Sequence, residues 1–172
     1  VGEIRDADTA KTAIQASITG HLVLSSFHAN STSAAFSRMI DLIGTNPIFS
    51  SSIRMVMAQR LVRVLSDNKH EFTPDETTRH FVLSKLKGLS EEVISTQLGF
   101  TLDPTNFSLY EAVPSGQDDP FGYKGRKVIM EQLSVTEEIQ KYIRGDIEDI
   151  NTNAIEKTAR EEGLITLEQK GI

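Results

Sequence analysis

The sequence contains no cysteine, which excludes disulfides, thiolate zinc sites and a cysteine nucleophile. It has no apolar run of about 18 residues, the length a membrane-spanning helix needs. Its first residues also lack the basic-then-apolar order of a secretory leader. Neither spanning nor export is expected, and the cytoplasm is the default compartment. Basic residues are not in excess: 18 Lys and Arg stand against 24 Asp and Glu, for a formal net charge of −6. That balance disfavours nucleic acid as a partner. No G-x-x-x-x-G-K-[ST] string occurs, and the nearest glycine-rich stretch, Gly122-Tyr123-Lys124-Gly125, reads as a turn. Internal repeats and low-complexity tracts are absent as well.

What remains is enough for a globular protein, since 172 residues with 38% apolar content suit one ordinary domain or two small ones. The chain opens on Val1-Gly2-Glu3-Ile4-Arg5-Asp6 without an initiator methionine, and reads as a fragment. Asp6 is the expected N-cap of a helix running to Gly20, with Ala7, Ala10, Ile14 and Ile18 at helical spacing. His21 to Phe27 is a short, largely apolar run of the kind buried in a mixed or parallel sheet. Residues 31–43 read as a second helix, broken at Gly44-Thr45-Asn46-Pro47. Phe49, Ile53, Val56, Met57, Leu61 and Val64 then predict a third.

A polar stretch at Ser66-Asp67-Asn68-Lys69-His70 marks a boundary. After it, Thr73-Pro74-Asp75-Glu76 has the order of a capping box with threonine as cap, and Gly88 divides the following apolar stripe into two short helices. Phe107 to Val113 predicts a strand before an acidic, turn-rich loop, and Val128 to Leu133 predicts another. Thr136 caps a helix with Ile139, Tyr142 and Ile143 on one face, and residues 153–162 form a last one that stops at Gly163.

Few residues offer chemistry. Glu3 follows a Val-Gly and precedes Arg5-Asp6, yet a lone glutamate is most often a solvated charge. His21 and His28 bracket the apolar run, and their odd separation sets them on opposite faces of an extended chain. Spacing therefore does not make them converge, and leaves them as structural or surface histidines. His70 and His80 have no cysteine nearby and no ligand spacing, so no metal site is expected. Arg60 and Arg63, three apart on the expected third helix, fall on neighbouring sides of one face, where an ordinary solvated surface and a subunit contact both remain open.

Taken together, Val1-Gly2-Glu3-Ile4-Arg5-Asp6 and Thr19-Gly20-His21-Leu22-Val23-Leu24-Ser25-Ser26-Phe27-His28-Ala29-Asn30-Ser31 resemble, in order and spacing, the Walker B end and histidine box of the ATPases of type II secretion and type IV pilus assembly. Ala58-Gln59-Arg60-Leu61-Val62-Arg63 and Gly122-Tyr123-Lys124-Gly125-Arg126 resemble later stretches of that family, and residues 154–172 its final helical segment. The resemblance covers nearly the whole chain and is weakest between 66 and 120. It implies an α/β fold in which residues 1–65 form the C-terminal part of a RecA-like nucleotide-binding lobe. Residues 66–121 are then a cysteine-free counterpart of the family's metal-binding insert. Residues 122–172 form a C-terminal strand and helical region, so that a smaller, mostly helical α+β part follows the lobe. No zinc is implied, because the paired cysteines of many members are missing here.

The chemistry implied by the resemblance is phosphoryl transfer, in which a carboxylate orients water and donors absorb charge on the equatorial oxygens. Glu3 takes the first role. His28, His21 and Arg5 sense the γ-phosphate, although a helix-end or packing role serves His21 equally and Arg5 has Asp6 or a partner carboxylate to pair with. Arg60 and Arg63 stand at a subunit interface. The parent would be a homo-hexamer hydrolysing ATP with Mg2+. It would be cytoplasmic and peripheral at the inner membrane, through secretion or pilus platform proteins, with no nucleic acid. Lacking the phosphate loop, this stretch alone is expected to be inactive, to bind no nucleotide tightly and to leave sheet surface exposed. The competing reading is a non-catalytic docking or oligomerisation module in which Glu3 and the histidines are idle.

Overall fold

The computed structural model describes residues 2–116 and 119–172. Val1, which opens the string quoted above, and residues 117 and 118 of the acidic loop lie outside the described residues. The first helix forms as the cap predicts. Asp6 is extended, and its carboxylate accepts the Thr9 N–H at 2.8 Å above the first turn of α1 (Ala7–Ile18). The same bond, followed by the Thr9 side chain, holds the Asp6 carboxyl below its ordinary value. Ala10, Ala13 and Ile14 enter the core, while Ile18 stays exposed. In α2 (Thr32–Ile43) the N-cap is Ser31, whose hydroxyl accepts the Ala34 N–H at 3.1 Å. The helix ends at Gly44 with φ 74°, a left-handed value that favours glycine. A 3₁₀ turn at Pro47–Phe49 follows.

The expected third helix is instead a strand, β1 (Met55–Leu65), paired with β4 (Tyr123–Ser134) in a two-stranded sheet. Val56, Ala58, Val62 and Val64 are half-buried and Met55, Met57 and Leu61 exposed, the alternation of a strand. The apolar positions also fit a helical period. The β-branched valines and a pairing partner far along the chain decide for the strand.

β2 (Lys69–Phe72) pairs antiparallel with β3 (Leu109–Ala112), Lys69 opposite Ala112 and Phe72 opposite Leu109. Between them lie α3 (Glu76–Leu86) and α4 (Glu91–Val93), which continues into a π turn at Ile94–Leu98. The cap of α3 is Asp75, two residues beyond the expected Thr73. Its carboxylate accepts the Thr78 N–H at 2.8 Å, the bond made by the residue adjoining the first turn. The chain closes with α5 (Glu137–Arg144), α6 (Thr152–Glu161) and α7 (Leu167–Lys170). Thr136 caps α5 as expected, accepting the Ile139 N–H.

Two compact units are present. The first is assembled from Val1–Ala58 and Met130–Thr166, the second from Gln59–Ile129 and Leu167–Ile172. The first has two clusters of buried side chains. One joins Phe36 and Ile40 of α2 to Leu133, Ile139, Ile143, Ile155 and Leu164, and the other joins Ile4 to Ala10, Ala13, Ile14 and Ile43. In the second unit Val82, Leu86 and Ile94 are buried, and Gln169 of α7 donates to the Lys85 carbonyl at 3.1 Å. Also in the second unit, Gly122 comes so close to Val113 that an added Cβ would meet the Val113 backbone at 2.7 Å, and its φ of 72° likewise demands glycine. The α/β character expected from the sequence is present. The described residues arrange it as two small two-stranded sheets among helices, with one isolated parallel bridge.

Candidate functional site

That bridge builds the site. Glu3 and Ser26 lie opposite each other in parallel sense. The Ile4 N–H donates to the Ser26 carbonyl at 3.0 Å, and the Ser26 hydroxyl donates to the Gly2 carbonyl at 2.8 Å. Ile4 is buried among α1 and α2 residues, so alternation turns Glu3 and Arg5 to the other face. Two residues beyond Ser26 comes His28, on the same face by the same alternation.

The result is a convergence that spacing did not reveal. His28 Nε2 lies 2.7 Å from Glu3 Oε1, while Arg5 reaches Glu3 Oε2 through Nε and a terminal nitrogen, both at 2.5 Å. An ionised carboxylate only accepts, so the His28 ring donates from Nε2. Glu3 is mostly covered, its side chain 20% exposed, whereas those of His28 and Arg5 are 85% and 75% exposed. The centre is thus a shielded carboxylate between two solvent-facing nitrogen donors. Arg38 of α2 holds the loop, donating to the His28 carbonyl at 3.2 Å with its guanidinium 5.6 Å from the centre of the Phe27 ring.

The remaining candidates lie elsewhere. His21 closes the end of α1, its Nδ1 3.2 Å from the Thr19 hydroxyl and its N–H on the Ala16 carbonyl. Arg60 and Arg63 stand on β1, where an odd separation puts them on opposite faces, so the shared helical face expected for them does not exist. Arg60 donates to the Gln59 carbonyl, and the Arg63 guanidinium stacks 4.0 Å over the Tyr123 ring. His70 stacks on Phe72, and His80 lines a cavity of 560 Å³ with Ser84, Lys87 and Leu102. Among the described residues, no group of three or more His, Asp or Glu is placed to hold a metal.

His21 to Phe27 is extended but forms no strand. Leu22 and Leu24 are 88% and 73% exposed, and only Val23 and Phe27 pack inward. The run is therefore not buried as a whole, and among the described residues its bridge to the Glu3 segment, at Ser26, is an isolated one. Sequence reasoning missed Arg38 and also Glu131, which is 2% exposed on β4. For Glu131 a signal existed: it shares the parity of Ile129, Leu133 and Val135, a charge set between apolar neighbours.

By themselves, fold and site define an α/β protein with a carboxylate held between a histidine and an arginine on an extended segment. The sequence model of the family described as type II/IV secretion system protein matches residues 1–172, and the chain belongs to that family. It is 36% identical over 174 residues to the type IV pilus assembly ATPase PilB of Thermus thermophilus, covering 100% of this chain and 17% of that protein. It is 39% identical over 148 residues to the type II secretion system ATPase E of Vibrio cholerae, covering 85% and 26%. With PilB of Pseudomonas aeruginosa the identity is 35% over 175 residues, 100% of this chain and 27% of the relative. The chain thus spans less than a third of the length of the curated relatives it matches. No helix among the described residues is long and apolar enough to cross a membrane.

Proposed function

We propose that the chain supplies the water-orienting side of the active site in an ATPase motor for type IV pilus assembly or type II secretion. The observation that carries this is the Glu3 carboxylate, shielded and held between His28 Nε2 and Arg5. In-line attack on a γ-phosphate needs a carboxylate to align the water and donors to meet the equatorial oxygens, and these three residues are of those kinds. The donor set fits the terminal phosphate of ATP, and the Mg2+ that accompanies it would be held by the rest of the parent. The cradle for the inner phosphates needs a G-x-x-x-x-G-K-[ST] string from the rest of the parent.

Within this reading, residues 1–65 belong to a RecA-like lobe and 66–121 to the counterpart of a metal-binding insert. The parent is a cytoplasmic homo-hexamer docked on inner-membrane platform proteins, and this stretch alone is inactive. Glu3 is held to both donors here. A γ-phosphate competes for His28 and Arg5, which releases the carboxylate for water as the nucleotide settles. His21 stays at the end of α1, and Arg60 and Arg63 face neighbouring subunits from the two sides of β1.

The test is ATP turnover by the full-length parent, by its Glu3→Gln form and by the 172-residue chain. We expect the variant to lose about 10²- to 10⁴-fold, the usual worth of positioned acid–base groups, and the chain alone to show no turnover. Full activity in the Glu3→Gln parent would overturn the assignment. A docking or oligomerisation module would then lead, a reading favoured by the exposure of Leu22 and Leu24.

A further inference from the structure

We infer that Glu131 is a positioning residue for the Glu3–His28 pair, acting through the N-terminus of α2; the inference rests on the reading of that pair as the water-orienting site. Glu131 lies on β4 beside Leu133 and Val135, and is 2% exposed. A carboxylate taken out of water is costly unless donors surround it. Its Oε1 accepts the Thr32 N–H at 2.9 Å and also the Thr32 hydroxyl. Thr32 is fully buried and is the first residue of α2. The carboxylate thus stands at the positive end of a 12-residue helix, on an N–H with no partner inside that helix.

Capping alone does not require this acid, because Ser31 already accepts the Ala34 N–H. What Glu131 adds is a fixed reference between the start of α2 and β4, across 99 residues of chain. The start of α2 is also where the His28 loop ends: Ala29, Asn30 and Ser31 link His28 to Thr32. The other fastening of that loop, the Arg38 bond to the His28 carbonyl, comes from α2 as well. A side chain as exposed as His28 has little packing to hold it, so its 2.7 Å approach to Glu3 depends on where the backbone is placed. The backbone is placed by α2, and the first turn of α2 is placed by Glu131.

The experiment is NMR of the 172-residue chain without nucleotide, reading the His28 ring nitrogens and the methyl signals of Ile139, Ile143 and Ile155. Glu3→Gln supplies the spectrum of a weakened pair. In Glu131→Leu and in Thr32→Val, which removes only the hydroxyl donor, the His28 Nε2 resonance is expected to move most of the way to its position in Glu3→Gln while the core methyls stay. Glu131→Gln keeps a carbonyl acceptor and should restore part of the shift. An unmoved His28 resonance in whichever of Glu131→Leu and Thr32→Val retains the core methyl pattern overturns the inference. In the parent, Glu131→Gln is expected to lower kcat about tenfold or more with KM for ATP within twofold, because misplacement of a reacting group is felt in the chemical step. A smaller folded fraction also lowers apparent kcat with KM unchanged, so the rate is taken per folded parent, and a kcat within twofold of the unaltered parent's then counts against positioning. A fully active Glu3→Gln parent would sink the functional reading while leaving the nucleotide-free NMR result to stand or fall separately.

Discussion

Phe36→Ala is the substitution that tests the packing of the first unit most directly. Phe36 is fully buried on α2, among Leu133, Ile139, Tyr142, Ile143 and Ile155. Removing its ring loses the transfer energy of the aromatic group and leaves a cavity, together about 3–5 kcal/mol. A domain holds only about 5–15 kcal/mol in all, so about a fifth or more of the stability is at stake. With a urea slope near 2 kcal/mol per molar, the midpoint should fall by about 2 M. The assay is urea unfolding followed through amide signals of α2 and α6, which read the first unit alone. The control is Leu22→Ala at the 88% exposed position, expected to change stability by less than about 0.5 kcal/mol. In the reading of His21 to Phe27 as a buried strand, Leu22 would have lain inside a sheet. A loss below about 1 kcal/mol for Phe36→Ala, or an equal loss for Leu22→Ala, refutes the burial described for this unit.

Two further outcomes follow from the caps. Ser31→Ala should cost about 1 kcal/mol, the usual worth of an N-cap hydroxyl, and Ser31→Asp should recover most of it in the same unfolding assay. Asp75 and Asp103 sit below their ordinary value, first through the hydroxyls of Thr78 and Thr105 and then through their N–H groups; Asp6 does so first through the Thr9 N–H. Because the folded value is the lower one, this stabilisation is complete above the unfolded value near 3.8 and vanishes as pH falls through the folded one. Melting midpoints should therefore be level above about pH 5 and fall below about pH 4. In Asp6→Asn the fall should be shallower, and a midpoint that rises on acidification would contradict the sign.

Local signals carried most of the helices. Asp6 and Thr136 announced their helices because a short oxygen before an apolar stripe has few other uses. Strands were harder, since their partners are distant: β1 satisfied a helical period until β4, some 60 residues on, claimed its hydrogen bonds. The same physics hid the site. Nothing local places Glu3 beside His28; the Ile4 to Ser26 bond does. Family likeness named both residues, but the reason they meet is a pairing between segments on either side of α1.

The first unit is made of two pieces of chain, with residues 59–129 between them. On a ribosome adding about 5–20 residues per second, the early piece waits roughly 4–14 s for its other half. During that interval Phe36 and Ile40 have been synthesised, but Leu133, Ile143 and Ile155 have not. The nascent chain therefore passes through a window in which α2 is wet on the side it later buries, and in which a holding chaperone has its natural target.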